Sequence, residues 1–525
     1  MRKVRTASGA VAVQVVTKEG RAVVDVDHVG SAHSNADLAL LMQAAHERLS
    51  PGQDALDLGP VDQLAQRVDD VADWTGQRRL DGGQRPARRG RPAQVAGGGQ
   101  VVSTASLLLW SVLADAYYHL GFDVLADETF KALVLARIIE PTSKIDSIRV
   151  LNEIGVSAPG SATIYRCLGR CQERDYRGTL AHAALAHSAR VAGTSALIMY
   201  DVTTLHFETP DEDELRRVGM SKEHRIDPQI QVGLLVDAAG FPLEVHMFEG
   251  NTAETKTILP VLDNFRSRHG LVDLVVVADA GMLSAGNLNA IEDAGYSFIV
   301  GSRLTTAPYD LAEHFEAHGT YFDDGQILES ARTMGSRSDA RQRRVVYQWT
   351  FKRQKRDDRN INKMVERAEK IADGQAPLKR TRFLKVTGAD KQLDQARIDR
   401  ARQLAGLKGY VTNIPIETMN GSAVIGAYHD LWEVEASFRL TKSDLAARPV
   451  FHRTREAIEA HLTVVFAALA VTRHLQRQSG TTIRKIVHTL RPVQSARVEI
   501  NGQEIDIEPK IPHEAQNLLN AIRGH

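Results

Sequence analysis

Cysteine is nearly absent from this chain: 525 residues carry two, Cys167 and Cys171, four apart within YRCLGRCQER. With no second pair to complete a zinc site, and no framework to staple, both are expected to be reduced and structural. Missing too is any run of about 18 apolar residues, so no membrane span is expected, and the start MRKVRTASGAV leads into VAVQVVTKEGR instead of a long apolar stretch. These features place the chain in the cytoplasm. Net charge is also lacking, since 65 Lys and Arg balance 65 Asp and Glu. The balance is not uniform. Residues 336–400 hold 19 Lys and Arg against 9 Asp and Glu, an excess of ten, so the remainder is net negative by ten. That polarity suits a basic binding surface combined with an acidic, cation-binding centre.

What is present divides the chain into segments. At this length two to four domains are expected, because single cores seldom grow past roughly 250–300 residues. Residues 1–66 open with strand-like alternation (VAVQVV, AVVDV) and turn helical, predicting a small α+β unit. Residues 67–102, including TGQRRLDGGQRPARRGRPAQVAGGGQ, leave almost nothing to bury and predict a flexible basic linker. Within it Arg89-Gly90-Arg91-Pro92 resembles the core of an AT-hook, making Arg89 and Arg91 candidate minor-groove contacts, although this composition arises readily in a plain linker. Residues 103–192 read as helical and DNA-binding. SKIDSIRVLNEIGVSAPGSATIYRCLGR has the outline of a helix-turn-helix, offering Tyr165 and Arg166 to DNA, with a plain helical hairpin as the equal alternative.

From residue 193 the pattern alternates strands with helices, as in a mixed α/β sheet with covered faces. Residues 193–305 and 406–480 read as two parts of one core, separated by a basic insertion at 306–405; residues 481–525 form a tail with a hairpin at Asn501-Gly502. Two apolar strands end in aspartate, Asp201 in SALIMYDVTTLHFE and Asp279 in LVDLVVVADAGMLS. A carboxylate following an apolar strand must find a partner, and several carboxylates can share a divalent cation. A third acid sits in YHDLWEVEASFRLTKSDL, which reads as one helix carrying Tyr428, Glu435 and Lys442 at seven-residue intervals beside an apolar stripe of Leu431, Val434, Phe438 and Leu445. Glu433 projects about 200° around that helix from Glu435, away from the stripe. His206 and His246 are weak candidates, since magnesium prefers oxygen ligands. Three carboxylates from separate segments fit a pair of Mg²⁺ ions about 3.5–4 Å apart, arranged for in-line phosphoryl displacement.

Taken in order, YDVTTLHFE, VVVADAGMLSAGNLNAIEDAGYSFIVGSR and YHDLWEVEASFRLTKSDL resemble the three catalytic segments of bacterial insertion-sequence DDE transposases. The third resembles the signature Y-x2-R-x3-E-x6-K, matched by Tyr428, Glu435 and Lys442, with Leu431 where the signature has arginine. The resemblance covers roughly residues 103–480. It implies a ribonuclease H-like mixed sheet flanked by helices, interrupted by an inserted, largely β domain. It further implies Asp201, Asp279 and Glu435 as a triad binding two Mg²⁺, with Mn²⁺ as a substitute. Tyr428 and Lys442 would contact DNA, and Arg439, one turn after Glu435, offers a cation in place of the missing arginine. The implied partners are the element's terminal inverted repeats and target DNA, held by a homodimer on paired ends. Two other readings stay open: a catalytically silent DNA-binding relative, and a ribonuclease H-like nuclease without strand transfer. Trp349 is a further candidate, for stacking on an extruded base, although its alternation with Val345, Tyr347 and Phe351 favours a core role.

Overall fold

A computed structural model describes residues 2–5, 11–19, 22–32, 100–192, 197–208, 211–219, 227–271, 274–279, 284–302, 309–335, 339–377, 381–387, 390–448, 450–500 and 502–524. The chain divides into two compact units, Met1–Gln94 and Val95–His525. In the first, β1 (Arg2–Arg5), β2 (Val11–Glu19) and β3 (Ala22–Ala32) form an antiparallel sheet. The helix expected after β3, and Arg89 and Arg91, lie outside the described residues.

The second unit begins with a strand, β4 (Gln100–Ala105), not with a linker extending to residue 102. It pairs antiparallel with β15 (Ser495–Ile500), with one register shift between Arg497 and Val498, and β15 pairs in turn with β16 (Gln503–Ile507), so the tail hairpin is joined by a segment almost 400 residues upstream. Five helices follow: α1 (Leu107–His119), α2 (Glu128–Ile139), α3 (Ser147–Glu153), α4 (Ser161–Glu173) and α5 (Tyr176–Ala192). Asp127 caps α2 by accepting from Phe130 N, and the same carboxylate holds Arg170 and Tyr176, tying α2, α4 and α5 together. Cys167 and Cys171 are buried, free thiols on α4.

The core sheet is built on β5 (Leu197–His206), β6 (Gln229–Asp237), β7 (Pro242–Glu249), α6 (Ile258–His269), β8 (Val275–Ala278), α7 (Ala285–Asp293) and β9 (Ser297–Ser302). Strand order is β7-β6-β5-β8-β9, with β6 antiparallel to both neighbours and β5, β8 and β9 parallel. This is the ribonuclease H-like arrangement. The β6–β7 hairpin turns at Ala239-Gly240, where Gly240 takes a φ of 75° and Asp237 accepts from Ala239 N and Phe241 N.

The inserted region departs from the largely β domain expected. After α8 (Ala312–His318), its strands β10 (Ile327–Met334) and β11 (Arg341–Trp349) extend the core sheet through β14 (Leu407–Thr412), giving eight strands in all. The rest is dominated by a 22-residue helix, α9 (Phe351–Ala372), packed with the β12 (Leu384–Thr387) and β13 (Asp390–Leu393) ribbon and α10 (Gln395–Gln403) around a small core of its own. Phe351 therefore begins a helix and does not continue the alternation of Val345, Tyr347 and Trp349.

Residues 428–445 do not form one helix. Tyr428 ends α11 (Gly421–His429), and Glu435 and Lys442 lie on α12 (Trp432–Ser443). Between them Leu431 N, Glu433 N and Val434 N each bond three residues back, to Tyr428, Asp430 and Leu431 carbonyls. That tightened turn has about three residues per turn instead of 3.6, and it shifts the phase of Tyr428 against Glu435. Leu431, Val434, Phe438 and Leu445 are all buried. The next helix, α13 (Arg455–Ser479), is long and apolar enough to cross a membrane by length and composition, but 89% of its most apolar window is buried among other elements. It is apolar all round because it is a central core helix. Two short helices, α14 (Ile483–Leu490) and α15 (His513–Arg523), complete the unit.

Candidate active site

The site grows from strand register. β5 and β8 pair in parallel as Leu197 with Val275 and Met199 with Val277. Asp201 lies two residues further along β5 and Asp279 directly follows β8, so carrying this register forward by two sets the two aspartates side by side, on the face that a period of two gives them both. Carrying the β8–β9 register of Val277 with Ile299 forward by two brings Gly301 opposite Asp279, and Gly301 pairs with Tyr410 of β14. Asp201, Asp279, Gly301 and Tyr410 thus form a row across four strands.

Tyr428 lies on this row. Its hydroxyl donates to Asp279 Oδ1 at 3.0 Å, and its ring meets Tyr410 at 5.0 Å between centroids with 62° between planes. Gly301 makes the fit possible: a Cβ there would stand 2.6 Å from the Tyr428 hydroxyl oxygen and 3.0 Å from Cζ. Lys408 Nζ sits 5.2 Å from the Tyr428 ring centroid. Burial raises the Tyr428 phenol pKa, and the Asp279 charge raises it further. Burial lowers Lys408, with Arg353 adding to the effect and Asp279 opposing it. A phenol that stays protonated can only donate to the carboxylate, so the bond orients Asp279.

Glu435 is exposed on α12, which packs on β5 and β6 through Val434, Ser437 and Phe438; Ser437 Oγ donates to Gly240 O at 3.2 Å. The Glu435 charge also contributes to the rise at Tyr428. The extended register brings Asp201 and Asp279 together, and Glu435 acts through its charge on the Tyr428 phenol that bonds Asp279. Among the described residues no three His, Cys, Asp or Glu side chains converge on a point that could hold a metal. The two aspartates supply the hard oxygens that a magnesium-like ion takes, leaving its other positions for a third carboxylate, water and phosphate.

The remaining candidates are dispersed. Glu433 pairs with Arg473, which also bonds Gly240 O and Ala239 O, so it braces the β6–β7 turn away from the aspartates. Arg439 is exposed and Lys442 half-buried on α12. Leu431 is buried in the joint between α11 and α12. Arg166 is exposed on α4, donating to Thr163 Oγ1, with Tyr165 63% exposed beside it. His246 lies beside the buried Glu244–Arg268 pair, where burial lowers its pKa to about 3. Trp349 is 7% exposed, stacks on Phe322 at 5.9 Å and donates to Ala405 O, so it is a core residue. Gly301, Lys408 and Tyr410 were not singled out from sequence; the alternation within LKGYVT puts Lys408 and Tyr410 on one face, but nothing local reveals which strand they would join.

Residues 193–471 match the family model for the transposase DDE domain. This span is more than half the chain and holds the whole aspartate row together with Tyr428 and Glu435, so the chain belongs to the DDE transposase family. No curated protein matches it. Among solved structures it is similar to a piggyBac transposase synaptic complex with hairpin DNA, at 8% identity and a TM-score of 0.34, covering 78% of this chain and 70% of that one. It is also similar to a Mos1 transposase paired-end complex with the left transposon end, at 13% identity and a TM-score of 0.15, covering 48% of this chain and 71% of that one.

Proposed function

We propose that this transposase cuts DNA at the terminal inverted repeats of its element and joins the freed 3′ hydroxyls to target DNA. The observation that carries this reading is the family match over residues 193–471, and it is supported by the hydrogen bond from Tyr428 to Asp279 and by a β5–β8 register that, carried two residues on, would bring Asp201 beside Asp279. Asp201, Asp279 and Glu435 would hold two Mg²⁺, or Mn²⁺ in their place, with Glu435 brought in when DNA is seated. Such ions, when bound, activate an attacking hydroxyl and stabilise the leaving oxygen. Tyr428 orients Asp279 through its hydrogen bond. Lys442 and Arg439 on α12, Arg166 on α4, and Arg89 and Arg91 would grip DNA backbone or minor groove. A homodimer on paired ends, bound to DNA in the cytoplasm, is the expected working form.

The test is Mg²⁺-dependent cleavage and strand transfer on a labelled duplex bearing the element's own end, comparing the parent with Asp279→Asn. Cleavage and joining by the parent alone support the proposal. Specific binding without reaction in either protein would mean a silent DNA-binding relative, and hydrolysis without joining a nuclease.

A further inference from the structure

Immediately beside the Tyr428–Asp279 contact lies a cavity of about 510 Å³, walled by the first turns of α9 and by β14. Six cations line it: Lys352, Arg353, Lys355, Arg356, Arg359 and Lys408. No carboxylate is among its lining residues. Asp357, the nearest acid on α9, lies 3.4 Å from Arg353 and 3.9 Å from Arg356, leaving the excess largely uncompensated. Like charges at i,i+3 and i,i+4 destabilise a helix, so this arrangement is at odds with local stability unless an anion enters. The positive end of the α9 dipole points the same way; Thr350 does not cap it, and a single carboxylate, Asp324, accepts from Phe351 N there. The cavity shares Arg353 and Lys408 with a second cavity of about 390 Å³, which adds Arg382 and Asp357 among mostly apolar residues, so the two join as one groove whose charge is concentrated in the first.

Length separates a strand from a small anion. Lys352, Lys355, Arg356 and Arg359 follow i, i+3, i+4, i+7 spacing, which lays them in a strip about 10 Å long on one face of α9. One phosphate cannot reach along such a strip, whereas successive phosphodiesters of one strand can. Lys408 stands at the junction, 5.2 Å from the Tyr428 ring on one side and lining the cavity on the other. We propose that this groove binds the sugar–phosphate backbone of a DNA strand leaving the Asp279 site, fixing which phosphodiester is presented for reaction. The proposal rests on the transposase reading and adds to it the path of the strand.

The experiment compares the full-length parent with a Lys352→Gln, Lys355→Gln, Arg356→Gln triple variant, whose three side chains project from the helix surface. Binding to a duplex bearing the element's end is measured between about 50 and about 200 mM salt. Each lost phosphate contact flattens the slope of log affinity against log salt by about 0.9, so losing two makes the parent's salt-induced loss of affinity about twelvefold larger than the variant's. Phosphate ethylation interference should lose, in the variant, a block of consecutive phosphates next to the cleavage position. An unchanged slope and unchanged interference, with a parent that still cuts and joins, would overturn the groove and leave the transposase reading intact. A parent that does not bind duplex DNA would overturn both. Competition by inorganic phosphate at constant ionic strength, as strong as by an oligonucleotide of equal phosphate content, would mark a small-anion site and also overturn the proposal.

Discussion

Gly301→Ala should disturb the site without replacing any charged residue. The new Cβ would stand 2.6 Å from the Tyr428 hydroxyl oxygen, 3.0 Å from its Cζ and 3.1 Å from Lys408 Nζ. Lys408 is flexible and can retreat, but the Tyr428 ring is packed against Tyr410 and must be pushed off Asp279. Overpacking of this kind costs about 1–3 kcal/mol. The entropy of unfolding, about 2.1 cal/mol/K per residue, gives roughly 0.9 kcal/mol/K for the unit Val95–His525, so the melting temperature should fall by about 1–3 °C. Calorimetry of four proteins, the parent, Gly301→Ala, Tyr428→Phe and the double variant, completes the cycle. Removing the hydroxyl takes away the nearest clash, so Gly301→Ala should cost about 1 kcal/mol less in the Tyr428→Phe background. Cleavage by Gly301→Ala should fall about 10–100-fold, because Asp279 loses the group that orients it. A neutral Gly301→Ala, or costs that simply add, would refute the placement of Tyr428 over Gly301.

Other consequences follow from the same packing. Arg473→Ala removes the partner of Glu433 and two donors to the β6–β7 turn, and should cost about 2–4 kcal/mol by thermal or denaturant melting, with Glu433→Gln milder. Trp349→Ala should cost about 3–5 kcal/mol through its core cavity, while Trp349→Phe leaves DNA affinity unchanged in a binding titration; lost affinity in a stably folded Trp349→Phe would revive the stacking role. Acid should destabilise the unit through His187 and His474, which pack against each other and His119. Burial lowers their pKa values to about 4 and about 3, with neighbouring imidazoles, Arg190 and Arg477 adding to it, so the unfolded chain binds more protons. Stability is complete above about pH 6.5 and falls toward pH 4, by roughly 3 kcal/mol for His187 alone; His187→Gln should flatten that part of the stability–pH curve.

The strands that lead to the two aspartates, the tail hairpin that turns at Gly502 and the buried stripe of Leu431, Val434, Phe438 and Leu445 were legible in the sequence. Each is a local pattern: an apolar run ending in an acid, a turn residue with positive φ, a helical repeat of apolar residues. The division of residues 428–445 into α11 and α12 was not legible, because Asp430 and Leu431 keep helical dihedrals and only the hydrogen-bond offset changes. Nor was the use of the insertion. β10 alternates as any edge strand does while β11 buries Val345, Val346 and Tyr347 in succession, and their joining the core through β14 depends on which strand edge the core leaves unpaired.

By itself the sequence determined which segments could be strands, which carried carboxylates and where positive charge was concentrated, since these depend on residue type and spacing. Only the tertiary structure decided that Tyr428 bonds Asp279, that Gly301 leaves room for Tyr428, and that Lys408 joins the α9 cations at one groove. Those relations join residues far apart in the chain, 127 positions in the case of Gly301 and Tyr428, and arise from register between strands and the packing of helices upon them. A shift of one residue in register would turn every one of these side chains to the opposite face, and no local pattern in the chain records that choice.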